Sequence, residues 1–251
     1  MRKGEFRSLE RGLAILSLFE DENRKTASIE DIMAHLSVPR STAYRFVRAL
    51  KSGGFLENAA RRGELRLGAQ LAYLGMRAKL GNDLGEVCLP ILEALVEKSS
   101  ETAFVSVRAG WNSLCVQMVE SPEPVRLVFA VGKKVGLHAG AAGKVILAHM
   151  TPGELDRFLE TELRPYTANT VTDPETLRKE TKEISEQGYA ISANETGLGA
   201  AGICVPIYSP PDHLAGVLNL AGPSARLDSE ALLSYLDLLW EKAAQISARL
   251  K

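Results

Sequence analysis

A chain of 251 residues, 45% hydrophobic and 24% charged, has room for two compact domains and offers no run of about 18 apolar residues to span a membrane. Its formal net charge of −1 hides a polarity: residues 1–67 carry 13 Lys+Arg against 9 Asp+Glu, and residues 68–251 carry 17 against 22. A basic end on an acidic body predicts a phosphate-bearing partner at one end only.

The opening MRKGEFRSLERG lacks the apolar core of a signal peptide. Three dispersed cysteines, Cys88, Cys115 and Cys204, form no CxxC pair and read as buried free thiols. Both features predict a cytoplasmic protein.

In chain order, Ser8 is expected to cap a first helix with Leu9, Leu13, Leu16 and Phe19 on its buried face. Asp21 to Thr26 reads as a polar loop. Ser28 to Lys51 then reads as two short amphipathic helices. Ser28 and Asp31 have capping-box spacing, and Ile29, Ile32, Met33 and Leu36 share one face. Ser37-Val38-Pro39 breaks the pattern. The second helix is expected to bury Ala43, Phe46, Val47 and Leu50. It turns Ser41, Tyr44, Arg45, Arg48 and Ser52 outward, with Arg40, Thr42 and Lys51 alongside. Hydroxyl and guanidinium groups on one exposed stripe suit phosphates and base edges in a DNA major groove.

Gly53-Gly54 ends that helix. Phe55–Glu57 and Glu64–Leu67 read as a hairpin whose turn carries Arg61 and Arg62, a basic wing. Gly68 to about Leu80, with Leu71, Leu74 and Ala78 aligned, is the expected connector, and Gly81-Asn82-Asp83 interrupts it.

A longer helix follows, with Leu84, Val87, Cys88, Ile91, Leu92 and Leu95 in one stripe. Pro90 inside it predicts a kink or a restart. The period then becomes alternating. Strands are expected at Ala103–Arg108, Leu114–Glu120 and Val125–Ala130. Gly136 to Lys144, GLHAGAAGK, is Gly-rich and opens a helix. Thr151–Glu154 and Asp173-Pro174 start two more, the second ending at Gly188. Further strands are expected at Tyr189–Ala193, Gly202–Ile207 and Leu214–Ala221, with a hairpin turn at Pro210-Pro211-Asp212. Asp228 caps a closing helix containing Leu232, Leu233, Leu236 and Leu239. The second half is therefore α+β, an antiparallel sheet with helices packed on it.

SLERGLAIL, PRSTAYR, LRLG at the wing, LHAGAAGK and a last strand ending in AGP, in this order, resemble the IclR-type bacterial transcriptional regulators. The resemblance implies a winged helix-turn-helix DNA-binding domain over residues 1–67, a linker helix over 68–82 and a GAF-like effector-binding domain over 83–251. It also implies a homodimer or homotetramer on a palindromic double-stranded DNA operator, a small organic effector, and neither catalysis nor a cofactor. Arg40, Ser41, Thr42, Tyr44, Arg45, Arg48, Arg61 and Arg62 are the expected DNA contacts.

The same resemblance places the effector at the amides of Gly140 and Ala141. Its other family positions, an acid, a cysteine and two serines, hold Ser192, Gly202, Asn219 and Ala221 here. Met33 and Ser37 stand where the family usually has Ala and Gly, so Ser37 is expected to need a strained backbone. The lost polar groups point to a bulkier effector, aromatic or cyclic, walled by Leu127, Phe129 and Ile203. Gly202→Leu is expected to block it and leave the fold intact.

Lys144 is followed by Val145, so GLHAGAAGK is not a GxxxxGK[ST] phosphate loop. His35, His138, His149 and His213 show no HxH or HExxH spacing and read as structural or exposed, with His138, His149 and Cys204 the one trio that folding could gather around a metal. No metal is expected. The competing function is a sensory or metabolic protein that binds no DNA and uses the helical hairpin to dock a partner.

Overall fold

The computed structural model describes residues 5–21, 24–80, 84–209 and 213–250. The chain divides into two compact units, Met1–Asn82 and Asp83–Lys251. The break at Gly81–Asp83 and the turn at Pro210–Asp212 lie outside the described residues.

In the first unit, helix α1 (Glu5–Ser17) starts three residues before Ser8, which lies inside it rather than capping it. The helix buries Ile15 completely, while Leu9 and Leu13 stay exposed. Leu16 and Phe19, the latter on a 3-10 turn over Leu18–Glu20, are partly covered by the same core. Ser28 closes a capping box with Asp31: each side chain bonds the other residue's backbone N–H, at 3.1 and 2.8 Å. The Ser28 N–H and then its hydroxyl, both donating to the Asp31 carboxylate, hold that carboxyl below its usual range. Helix α2 (Ile29–Leu36) follows, buries Ile29 and Ile32, and ends at Ser37 in the left-handed region, with φ of 50°. The expected strain is present at that turn.

Pro39 sets the start of α3 (Arg40–Ser52), whose Ala43, Phe46 and Val47 enter the core. Strands β2 (Leu56–Asn58) and β3 (Glu64–Leu67) form the wing, one residue later than expected for the first strand. Strand β1 (Ala27–Ser28) adds to the outer edge of β3. Two residues are too few to show an alternation, which hides β1 from the sequence. Gly68 then turns the chain into α4 (Ala69–Leu80), on which Leu74 is exposed.

In the second unit, α5 (Leu84–Ser99) runs unbroken through Pro90 instead of restarting. Pro90 and Glu86 are both exposed, so the missing helical bond falls on the outer side of the helix. Strands β4 (Thr102–Ala109), β5 (Asn112–Val119) and β6 (Lys134–Gly136) lead into α6 (Gly140–Ala148), α7 (Pro152–Leu159) and α8 (Pro174–Gln187). Then come β7 (Ala190–Ala193), β8 (Ala200–Ser209), β9 (His213–Pro223), α9 (Ser229–Ser234) and α10 (Leu236–Ser247). The strands make one antiparallel sheet in the order β6-β5-β4-β9-β8-β7.

Two expectations fail here. Residues 125–130 are irregular, because the edge of β5 is already used: Cys115 exchanges backbone bonds with Gly132 and Lys133 at 2.8 and 3.0 Å. The closing helix is broken at Tyr235, with Leu233 exposed on its first piece. On one face of the sheet, Ala103, Val105, Ala201, Ile203, Val205, Leu218 and Leu220 pack against α5 and α10. On the other, Cys204 and Val217 pack against α6, α7 and α8. Strand alternation thus divides each strand between two cores.

Gly68 has no room for a side chain: a Cβ there would collide with the Gly54 carbonyl oxygen. Gly68→Ala is expected to destabilise the first unit by about 1–3 kcal/mol, the usual cost of overpacking. Urea unfolding followed by far-UV circular dichroism reads it, and an unchanged midpoint contradicts the close approach.

Candidate DNA interface and effector pocket

The apolar face of α3 is spent on the core, which leaves its other face free. Arg40, Ser41, Tyr44, Arg45, Arg48, Lys51 and Ser52 are exposed there, with Thr42 half-buried. A groove of about 580 Å³ runs between α3 and the wing, lined by Arg40, Tyr44, Arg48, Lys51, Asn58 and Gly63 among others. Arg40 is pre-positioned: its guanidinium lies 3.1 Å from the Glu30 carboxylate and 5.6 Å from the Tyr44 ring centre. Arg45 lies over Phe46 at 5.6 Å. Among the described residues Arg48 and Arg62 have no carboxylate partner, whereas Arg61 is 3.3 Å from Glu64. The eight expected contact residues therefore fall on two adjoining elements, α3 and the wing turn. Lys51 Nζ donates to Asn58 Oδ1 at 2.7 Å and ties the two together. Asn58 was not singled out by sequence, because its partner is a side chain one element away.

The second site is a hollow over the sheet. Ser192, Gly202 and Ala221 are cross-strand partners on β7, β8 and β9. Their small side chains leave a cavity of about 60 Å³, closed by Ala141, Thr196, Ala200 and Leu127. Beside it Phe104, Cys115 and Ala221 cluster with Met118, Leu127 and Phe129, and the Phe104 and Phe129 ring centres are 4.6 Å apart.

Four of the expected effector residues, Ala141, Ser192, Gly202 and Ala221, line this cavity. Two do not. Asn219 is buried two residues along β9 and spends its Nδ2 on the carbonyls of Val217 and Phe104, at 3.2 and 3.4 Å. The Gly140 N–H donates to Glu195 Oε2 at 3.1 Å, so the protein's own carboxylate holds it.

Ile203 also leaves the expected list: alternation points it into the α5–α10 core, on the opposite face from Gly202. The space at Gly202 is not open either. A Cβ there would stand 2.9 Å from the Ala221 Cβ and 3.0 Å from the Leu220 carbonyl, so Gly202→Leu would disturb the fold it was meant to spare.

The clamp on Gly140 is charged and buried. Lys144 and Glu195 are 4% and 8% exposed, which leaves little water to screen their contact. Lys144 Nζ lies 2.6 Å from Glu195 Oε1 and 2.8 Å from Glu180 Oε2, the latter off the direction of a hydrogen bond. Gly140, with φ of 77°, makes the turn into α6. The next two amides, of Ala141 and Ala142, have no acceptor among the described residues. Such unsatisfied helix-start donors want an acceptor. The hydroxyls of Ser192 and Thr196 also make no hydrogen bond among the described residues. The usable amides are therefore one position later than Gly140 and Ala141, and Ala142 was missed.

The histidines are otherwise engaged. His138 Nε2 is 2.9 Å from the Arg164 carbonyl, and His149 Nδ1 is 2.8 Å from that of Val145. Burial pushes the Cys204 thiol up. Among the described residues no three His, Cys, Asp or Glu groups are placed to hold a metal.

Residues 8–60 match the family model described as the IclR helix-turn-helix domain, and residues 78–248 match that of the bacterial transcriptional regulator IclR C-terminal domain. The HTH-type transcriptional repressor AllR of Escherichia coli K12 is 30% identical over 244 residues, which are 97% of this chain and 90% of that one. A solved IclR-type regulator from Silicibacter sp. TM1040 shares the fold, with a TM-score of 0.88 at 23% identity over 96% of this chain and 95% of its own. An IclR homologue from Microbacterium hydrocarbonoxydans, crystallised with 4-hydroxybenzoate, gives 0.77 at 27% identity over 96% and 98%. A helix-turn-helix match on α2 and α3 removes the partner-docking alternative. The chain belongs to the IclR family: it is a ligand-responsive, DNA-binding transcriptional regulator and not an enzyme.

Proposed function

We propose that this regulator is a repressor that reads a palindromic operator as a homodimer or homotetramer. The division of labour is a winged helix-turn-helix over residues 1–67, a linker over 68–82 and an effector domain over 83–251. The observation that carries this reading is the basic groove between α3 and the wing, with Arg45 and Arg48 on the free face of a helix whose other face is core. Arg40, Ser41, Thr42 and Tyr44 complete the major-groove stripe, and Arg61 and Arg62 meet backbone or minor groove. Repression is supported by the likeness to AllR.

A second copy is supported by apolar groups that the first unit leaves in solvent: Leu9, Leu13, Leu67, Tyr73 and Leu74. Two copies place two recognition helices in successive major grooves. An effector that binds one quaternary arrangement better than another then changes their spacing and the operator affinity. No helix among the described residues is long and apolar enough to cross a membrane, which fits a cytoplasmic regulator.

The effector is a small organic molecule with an aromatic or cyclic body and one acceptor end at the start of α6. The apolar cluster of Phe104, Leu127 and Phe129 supports the ring, and a relative crystallised with 4-hydroxybenzoate supports it independently. A cavity of about 60 Å³ is smaller than the roughly 150 Å³ that holds benzene. A ring therefore enters only if the segment carrying Leu127 and Phe129 moves aside.

Three outcomes are expected. Arg45→Ala and Arg48→Ala each weaken operator binding by about 1–3 kcal/mol in fluorescence anisotropy; parent-like affinity in both means that α3 is not the reader. Replacing Arg61 and Arg62 by Ala weakens binding to all duplexes alike and lowers the salt slope by about 1 per lost phosphate contact. A changed sequence preference at constant slope argues against that role. In calorimetry, 4-hydroxybenzoate or 4-hydroxybenzamide binds more tightly than pyruvate or glyoxylate, and the reverse order sinks the ring.

A further inference from the structure

Residues 120–133 join β5 to β6 as a strap, and Leu127 on it is one wall of the cavity over the sheet. Leu127 and Phe129 pack on Phe104, Cys115 and Ala221, whereas Val125, Val128 and Val131 are 66%, 83% and 49% exposed. The inner side of the strap is thus seated and its outer side is bare. Its far end is tied to the sheet: the Gly132 N–H donates to the Cys115 carbonyl at 2.8 Å, and the Cys115 N–H to the Lys133 carbonyl at 3.0 Å. Among the described residues the backbone of residues 126–129 makes no hydrogen bond.

The near end hangs on Arg226. Glu101, buried where β4 begins, accepts Arg226 Nε and Nη2 on its two oxygens at 2.8 and 2.9 Å. The remaining arm, Nη1, donates to the Val125 carbonyl at 2.9 Å. A guanidinium is planar and presents its donors in fixed directions, so a carboxylate that holds two of them also aims the third. The fold leaves room for that carboxylate, because a Cβ on Gly222 of β9 would collide with Glu101 Oε2. Further back, the Ser121 N–H donates to Thr102 Oγ1 at 3.2 Å. Between Val125 and Gly132 the strap is held on the hollow by the seat of two side chains, Leu127 and Phe129.

We propose that Arg226 is a positioning residue of the effector pocket: held by Glu101, it pins the strap at Val125, so that residues 126–131 lift between two fixed ends to admit the effector and close again over it. This deepens the effector reading above and rests on this cavity being the effector site. The pin shortens the segment that must be ordered when the strap closes. Without it the free segment reaches back toward Ser121, closing costs more conformational entropy, and the open state gains population. An apolar seat suits such a strap, since it restrains without fixing a hydrogen-bond register that opening would have to break.

The three free thiols test this without any ligand. Cys115 is 1% exposed in the cluster on which Leu127 and Phe129 sit, whereas Cys88 and Cys204 are buried in the two other cores of the same unit. The folded full chain is labelled with N-ethylmaleimide, and each thiol is followed by peptide mass spectrometry. When reclosing is fast, labelling tracks the open population, and Cys115 is expected to label at least about tenfold faster than Cys88 and Cys204. Arg226→Lys keeps a cation for Glu101 but loses the fork. It is expected to speed Cys115 by a further factor of about ten, the loss of one charge-assisted hydrogen bond, and to leave the other two within about threefold. If Cys115 labels no faster than the other thiols in the unmodified protein, the strap opens only on unfolding and the proposal is overturned, whatever the variant does. An Arg226→Lys chain that speeds all three thiols alike, leaves Cys115 unchanged or does not fold overturns the role of Arg226. Saturating 4-hydroxybenzoate or 4-hydroxybenzamide is expected to slow Cys115 labelling. No slowing by either, with the variant behaving as expected, overturns the cavity as effector site and leaves the pin on Val125 standing.

Discussion

A lysine in an otherwise apolar helix, Lys144, must find a carboxylate or leave the core. It finds Glu195, 51 residues along the chain, at 2.6 Å. That contact connects α6, which carries the unsatisfied amides, to the loop after β7, which carries Thr196 and the far wall of the cavity. Ser192, Gly202 and Ala221 supply only a floor of small side chains. The clamp is one of the contacts that hold the donors of Ala141 and Ala142 near that floor. The close approach of Gly143 to Leu137, where a Cβ would meet the carbonyl oxygen at 2.5 Å, fixes the same helix from its other side.

The two units use opposite solutions to the problem of polar surface. In the first, α3 turns Ala43, Phe46 and Val47 into the core and presents guanidinium groups to solvent on its other side. The second buries polar groups and satisfies most of them internally, as with the Arg226 pair to Glu101 at 2.8 and 2.9 Å. Among the described residues the amides of Ala141 and Ala142 are left without an acceptor, and Ala141 lines the hollow over the sheet. The family's two activities, DNA binding and response to a ligand, call for two such contrasting surfaces.

Much of this was legible in the sequence, and the reasons differ by element. The capping boxes at Ser28 and Thr151 and the Asp173-Pro174 start are local, so their spacing alone located α2, α7 and α8 within a residue. The outward stripe of α3 followed from helical period. What failed depends on tertiary partners. Leu9 and Leu13 are apolar yet face away from their own core, so Ile15 took the place they were expected to fill. Val125–Ala130 has strand composition but no free edge to join. Ile203 points away from the pocket because alternation on β8 gives it to the other core. Glu195 carried no local signal at all, since only folding brings it to Lys144.

The clamp between Lys144 and Glu195 ties α6 to the loop after β7, and a double-mutant cycle measures it directly. Lys144→Met, Glu195→Gln and the double variant are unfolded in urea as full chains. Fluorescence reports the second unit, which contains both tryptophans, Trp111 and Trp240. Lys144→Met strands a buried carboxylate and is expected to cost about 3–5 kcal/mol. The double variant is expected to recover at least about 1.5 kcal/mol of the summed single effects, the coupling of groups in direct contact. Additivity within about 0.5 kcal/mol would show that the two groups stabilise the fold independently, and would contradict the clamp.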